Sequence, residues 1–284
     1  MKPTKQMQGT FLSLFLSVSS AVAHTFTATD GRTLEATIIR YQPAQNQVDI
    51  KRTDGTLLRV KSTLFEPADQ TYIQQWYAAQ KFDSSHVRME IKEVKGAYKK
   101  QTHSVDLGEE RRGLPGAGFG VVEVATDKKT PITYQLTLHN KSDVPIENVK
   151  IEYKIFYEQE VAVELEVPQE RQTERAEFIE PHRPQNQLKI KEGRFKTRSL
   201  EAGETWEDDS SSITLLERKS IRRFRQYINL ESESMGIWVR CSHRDPDGNV
   251  IVRDFIEPAR LEKDVAWDQE ESTEERPRSE NRDS

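Results

Sequence analysis

Residues 26–39, FTATDGRTLEATII, and 47–77, QVDIKRTDGTLLRVKSTLFEPADQTYIQQWY, decide how the first part of the chain folds. Leu34, Ala36 and Ile38 alternate with Glu35 and Thr37, the period of two that marks a strand with one buried face. Val48 and Ile50 repeat the pattern against Asp49 and Lys51, and Leu58 and Val60 repeat it against Arg59 and Lys61. Asp30-Gly31 and Asp54-Gly55 stand between these runs, where an Asp-Gly pair predicts a tight hairpin with positive φ at both turn residues. The period then changes. Pro67 suits the first helical position, where a missing N–H costs nothing. Glu66 and Asp69 place negative charge at the helix start. Tyr72, Ile73 and Trp76 share one helical face, so short strands closed by a short helix are expected to form a small barrel.

The order Thr29 to Ala36, Val48 to Gly55, then Asp69-Gln70, Tyr72-Ile73 and Trp76 resembles the first homology domain of a fungal endocytic clathrin adaptor, whose relatives occur near the N-terminus of many exported bacterial proteins. The resemblance covers about a fifth of the chain. It implies an SH3-like barrel with a short C-terminal helix. One departure is Phe65-Glu66-Pro67-Ala68, where the family more often has Leu-Ser-Glu-Glu. The fungal domain reads Asn-Pro-Phe-x-Asp sorting signals; that site does not map residue by residue onto this chain, so the ligand is not carried over.

Residues 1–23 read as a cleaved signal peptide. Lys2 and Lys5 give a positive start, Phe11 to Val22 an apolar run, and Ala21-Val22-Ala23 an A-x-A cleavage site. The run is about a dozen residues against the ~20 a membrane span needs. No transmembrane segment is expected, and the mature chain is expected outside the cytoplasm, in the periplasm or beyond. The formal net charge of the whole chain is −5. Losing Lys2 and Lys5 makes it more acidic, which does not favour nucleic acid as a partner. Cys241 is the only cysteine. It alternates with Val239 and Ile237 and reads as a core residue without a disulfide partner.

The division expected is signal peptide 1–23, SH3-like barrel 24–82, β-sandwich 83–267 and a charged tail 268–284, with Ala78 to Ser85 as the connection. In the second region Ile132, Tyr134, Leu136 and Leu138 alternate with polar residues, as do Val149, Ile151, Tyr153 and Ile155. Gly236 to Ser242 and Val250 to Phe255 add a hairpin around Asp245-Pro-Asp-Gly-Asn249. Many short strands without a long helix predict a mainly β chain and a sandwich, similar to the immunoglobulin-like or fibronectin-type domains of bacterial exported proteins. Such sandwiches recur without a shared function. Glu158 to Gln187 and Glu217 to Glu233 read as long charged insertions, and the tail after Gln269 lacks the apolar residues a fold needs.

Motifs for catalysis are weak. His243-Arg244-Asp245 copies a kinase triplet with no other kinase motif, and Asp245, Asp247 and Asn249 start a calcium-like loop whose glycine and twelfth residue are misplaced. A β-turn explains them. Gly113 to Gly120 lacks the strand and Lys-Ser/Thr of a phosphate cradle. The histidines show no ligand spacing, and Asn140-Lys-Ser142 is a formal glycosylation sequon. No cofactor or metal is implied. The function expected is non-enzymatic binding of protein or peptide partners in the cell envelope. Alternatives are polysaccharide binding through Trp206, Trp238 and Trp267, a basic patch at Arg222, Arg223 and Arg225 with Phe224 and Tyr227, and an enzyme with no recognisable motif. The binding residues expected are Lys51, Arg59 and Lys61, three cations on one strand face that suit an acidic partner segment. Cleavage after Ala23 makes His24 the first residue of the mature chain, which intact-mass measurement of the exported protein checks directly.

Overall fold

The computed structural model describes residues 23–106, 121–164, 182–220 and 229–271. The chain is mainly β, with three antiparallel sheets, two α-helices and two single 3-10 turns in this part. It divides into two compact units after Gln74. The signal-peptide reading, the glycine-rich stretch, the Arg222–Tyr227 patch and the tail from 272 onward lie outside the described residues.

The first unit is a four-stranded sheet in sequence order: β1 (His24–Thr27), β2 (Thr33–Gln42), β3 (Gln47–Arg52) and β4 (Leu57–Lys61). Alternation places Ala36, Ile38, Val48 and Ile50 inside with Phe26, Phe65 and Ile73, all buried. Leu58 and Val60 are half-buried on the same side. The Asp-Gly turns form, but with one difference. Only Gly31 and Gly55 adopt positive φ, at 83° and 87°. Asp54 stays in the ordinary region, and its carboxylate accepts the Thr56 N–H at 2.9 Å instead. Asp30 does the same for the Arg32 N–H. The glycine alone supplies the left-handed residue, and the aspartate ties the turn through its side chain.

Helix α1 (Pro67–Phe82) starts at Pro67, as the sequence predicts. Asp69 in its first turn does more than answer the helix dipole. Its buried carboxylate accepts the Thr27 N–H at 2.5 Å and meets His24 Nε2 at 2.8 Å. The His24 ring in turn stacks on Tyr72, 3.7 Å between centroids. One carboxylate thus joins the helix start to the first strand.

The second unit is built around two long strands. β7 (Val121–Asn140) pairs along one edge with β5 (Val87–Lys95) and β6 (Lys99–Asp106), and along the other with β11 (Thr205–Asp209) and β12 (Ile213–Ser220). β8 (Ile146–Glu164) carries β9 (His182–Arg194) and β10 (Arg198–Leu200) on one side. β13 (Ser232–Arg244) lies on its other side, with β14 (Val250–Glu257) beyond. The two five-stranded sheets face each other across one core. Ile132, Tyr134, Leu136 and Leu138 of β7 meet Val149, Ile151, Tyr153 and Ile155 of β8, with Ile237, Val239 and Cys241 of β13. This is the sandwich-like arrangement the alternation predicts. A smaller cluster of Phe156, Leu188, Met235 and Trp238 lies on the other face of the β8 sheet under helix α2 (Leu261–Asp264).

The two charged insertions are shorter than expected. Glu158–Glu164 continues β8, His182–Gln187 begins β9, and these residues pair with one another. Glu217–Ser220 belongs to β12, and Ser232 already opens β13. Charged residues interrupt the apolar alternation in these segments, so the period of two that marks a strand is hard to read there.

The stretch expected to connect the two regions is packed rather than extended. Ala78, Ala79 and Phe82 of α1 are buried, and Phe82 and Val87 join the sandwich core. Arg253 of β14 holds the chain there: its Nη1 donates to the carbonyls of Phe82, Ser84 and Val87 at 3.0, 2.7 and 2.7 Å. Carbonyls at the end of a helix lack intrahelical donors, and a guanidinium supplies them. Arg253→Ala should therefore cost about 2–3 kcal/mol in urea unfolding, the range for hydrogen bonds from a charged donor. It should also open a protease cut between Ala78 and Arg88 that the parent chain resists.

Candidate functional site

The three predicted cations stand on one face, as the pairing register requires. Asp49 lies opposite Arg59, Lys51 opposite Leu57, and Gln47 opposite Lys61. Val48 and Ile50 between them point to the core, so the odd-numbered side chains face outward. Lys51, Arg59 and Lys61 are all exposed.

Two features of this face were missed by the sequence reading. The first is a β-bulge. The pairing of β2 with β3 shifts between Ile38 and Arg40, leaving Ile39 as the extra residue and setting Arg40 opposite Asp49. A bulge adds one residue and re-aims the side chains beyond it. Arg40, Asp49 and Arg59 thereby form one row across three strands. The second feature is apolar. Leu57 is 68% exposed and Ile39 is 53% exposed, so two aliphatic side chains lie beside the cations. Nothing in a period-two pattern announces the bulge, but the doubled Ile38-Ile39 breaks the alternation and is a signal for one.

The cations differ in their commitments. Arg59 holds Asp49 through Nε and Nη2 at 2.7 and 3.0 Å. That bidentate contact keeps the Asp49 carboxyl below the usual carboxylate range, with the nearby Arg40 charge acting in the same direction. A guanidinium has five N–H groups, and Asp49 takes two. Lys51 and Lys61 are in no ion pair with a carboxylate among the described residues. Within β3 and β4, Asp49 is the single acid.

The most buried titratable groups of the second unit are packed into its fold. Asp127 on β7 is buried between Arg218 of β12, which grips it through Nε and Nη2 at 2.7 and 2.9 Å, and His103 of β6 at 2.8 Å. The guanidinium, seconded by the histidine, lowers the Asp127 carboxyl to about 2. His243 is buried against the Phe82 ring, with Nδ1 on the Glu147 carbonyl, and burial lowers its pKa. Asp245 and Asn249 close a turn, where Asp245 accepts both the backbone and side-chain N–H of Asn249. Burial pushes the Cys241 thiol up to about 12, far from thiolate chemistry. Asn140 of the sequon is buried, donating to the carbonyls of Val144, Leu200 and Glu201. Among the described residues no group of three or more His, Cys, Asp or Glu could hold a metal ion.

Two of the three tryptophans considered for sugar stacking are buried, Trp206 and Trp238. Trp267 is half-buried, with the Arg240 guanidinium 4.3 Å from its ring centre. A cleft of about 890 Å3 lies where β8, β9, β12 and β13 meet, lined by Glu158, Glu160, Glu217 and Glu233 among others. Its Arg218 is the one already held by Asp127.

No family model matches the chain, and no curated protein matches it. Solved structures do match. One is the X-ray structure of a structural genomics target, SoR45, at 9% identity over 61% of this chain and 89% of that one, with a TM-score of 0.24.

The Asp127 contacts carry a pH dependence. A carboxyl at about 2 when folded, against roughly 4 unfolded, stabilises the chain above pH 4 and loses that contribution as pH falls through about 2. Asp127→Asn should lower the neutral-pH thermal midpoint by about 2–6 °C. Parent and variant should converge on acidification to about pH 2, as calorimetry over that range would read.

Proposed function

We propose that this chain is an exported, non-enzymatic binding protein, an SH3-like barrel followed by an immunoglobulin-like sandwich, and that the barrel's outer face takes acidic protein or peptide segments. The observation that carries the proposal is the row of cations on that face. Arg40, Lys51, Arg59 and Lys61 share it with two acids, Asp49, which Arg59 holds, and Glu35, two positions along β2 from the Thr37 that faces Lys51. Ile39 and Leu57 give it an apolar margin. A charged face alone serves solubility. Cations beside exposed aliphatic side chains suit a ligand that brings both a carboxylate and an apolar group. Charges of this kind set association rate and salt dependence more than depth of affinity. The sugar-stacking alternative has less to support it, since two of its three rings are buried.

The geometry changes the variants that test this. Arg59→Glu would set a glutamate opposite Asp49 and strain the sheet itself, because like charges directly across a strand pair repel. Lys51→Glu with Lys61→Glu reverses charge on the face and leaves the Asp49–Arg59 pair intact. Fluorescence anisotropy with a labelled peptide of alternating Glu and Thr should show binding to the full chain that weakens roughly tenfold in this double variant. Binding should also fade as added salt shortens the screening length. Equal affinity in the folded double variant, or no binding by the parent chain at low salt, would reject the proposal.

A further inference from the structure

The backbone of β4 carries a second property that coincides with the charged side chains. β4 is the last strand of its sheet and pairs only with β3 among the described residues. Its register has an alternation of its own. The Ser62 N–H donates to the Asn46 carbonyl at the near end of the ladder, and the Arg52 N–H to the Thr56 carbonyl at the far end. In an antiparallel pair, hydrogen-bonded and non-hydrogen-bonded residue pairs alternate. The bonded pairs are thus the even-numbered ones, with Leu58 and Val60 turned to β3. Leu57, Arg59 and Lys61 form the non-bonded pairs, in which side chains sit closest, as the bidentate Asp49–Arg59 contact shows. Their N–H and C=O groups therefore point away from β3, to the free edge.

The residues that offer backbone to the edge are thus the residues that offer charge and apolar surface to the outer face. Resting on the peptide-binding reading above, we infer that the partner segment binds as a fifth strand, added antiparallel along β4. Added strands take affinity from main-chain hydrogen bonds and specificity from alternate side chains. Each partner residue bonded to Leu57, Arg59 or Lys61 presents its side chain on the same face as theirs. The register calls for carboxylates opposite Lys61 and Arg59 and an apolar side chain opposite Leu57, a segment reading acid-x-acid-x-apolar. Arg59 can serve it without releasing Asp49, because its guanidinium has N–H groups to spare. A second copy of this chain is a poor occupant. Antiparallel pairing of β4 with itself about Arg59 sets two guanidinium groups directly opposite, the like-charge arrangement that destabilises a strand pair. An acidic segment removes that repulsion and uses it.

The test uses the full chain and three synthetic peptides. The parent peptide is acetyl-Thr-Glu-Thr-Glu-Thr-Val-Thr-amide. One analogue is N-methylated at both Glu and at Val, removing the N–H groups that would face β4. The other is N-methylated at the two central Thr, removing N–H groups that would face away. Isothermal titration should show the first analogue at least about tenfold weaker, because several main-chain hydrogen bonds are lost. The second should stay within about threefold of the parent. Equal weakening of both analogues, or none in either, overturns strand addition while leaving charge-driven peptide binding standing. Failure of the parent peptide alongside every other acidic peptide removes the underlying reading instead. A dimer of this chain that the parent peptide leaves intact would assign the edge to a second copy and overturn the acidic segment as its occupant.

Discussion

The structure depends most on the burial of one face of two long neighbouring strands. β7 and β8 follow each other in sequence, yet they lie in opposite sheets, so their alternating apolar residues meet across the core. Each is also the strand on which its sheet is assembled. The four other strands of one sheet pair with β7, and three of the other four pair with β8. The crossing between them, at residues 141–145, is fixed by Asn140. Its amide donates to three carbonyls, and its oxygen accepts from Ser142 N–H and Oγ. A buried polar side chain is costly unless its groups are satisfied. Asn140 is satisfied by the turn it organises, so the cost becomes a reason for the chain to cross at that place.

The same alternation works with the opposite result in the first unit. There the inward residues make a small core, and the outward ones of β3 and β4 gather three cations around one acid, Asp49. Because side chains on neighbouring strands are in register, cations that are separated in sequence become neighbours on the surface. The bulge at Ile39 extends the row by one arginine that a strict alternation would have misaligned. The proposed peptide face is therefore a by-product of register, and so is the matching backbone edge of β4.

What could be read from the sequence was whatever the chain states locally. Alternation at 132–138 and 149–155, the Asp-Gly turns and Pro67 at the helix start all depend on residues a few positions apart. The mainly β character and the common face of Lys51, Arg59 and Lys61 came from these. The turn geometry was read too generously, since an aspartate can tie a turn through its carboxylate and stay at negative φ. Contacts that link distant residues were hidden. Arg253 binds carbonyls, which have no residue identity, across about 170 positions of sequence. Asp127 looks like one more acid in a charged strand until β6 and β12 close on it. Segments such as 158–164 hide their strand character because charged residues interrupt the apolar alternation. The pairing of partners, rather than the strands themselves, is what a single sequence withholds.

Cys241 gives the chain a property that stems from its solitude and its depth. A thiol with no second cysteine has nothing to exchange with inside the molecule, and one packed between two sheets offers no surface to a reagent. Its labelling then waits on separation of the sheets. The rate at which a maleimide or an aromatic disulfide consumes this one sulfur becomes a clock for opening of the sandwich, read without engineering any probe into the protein.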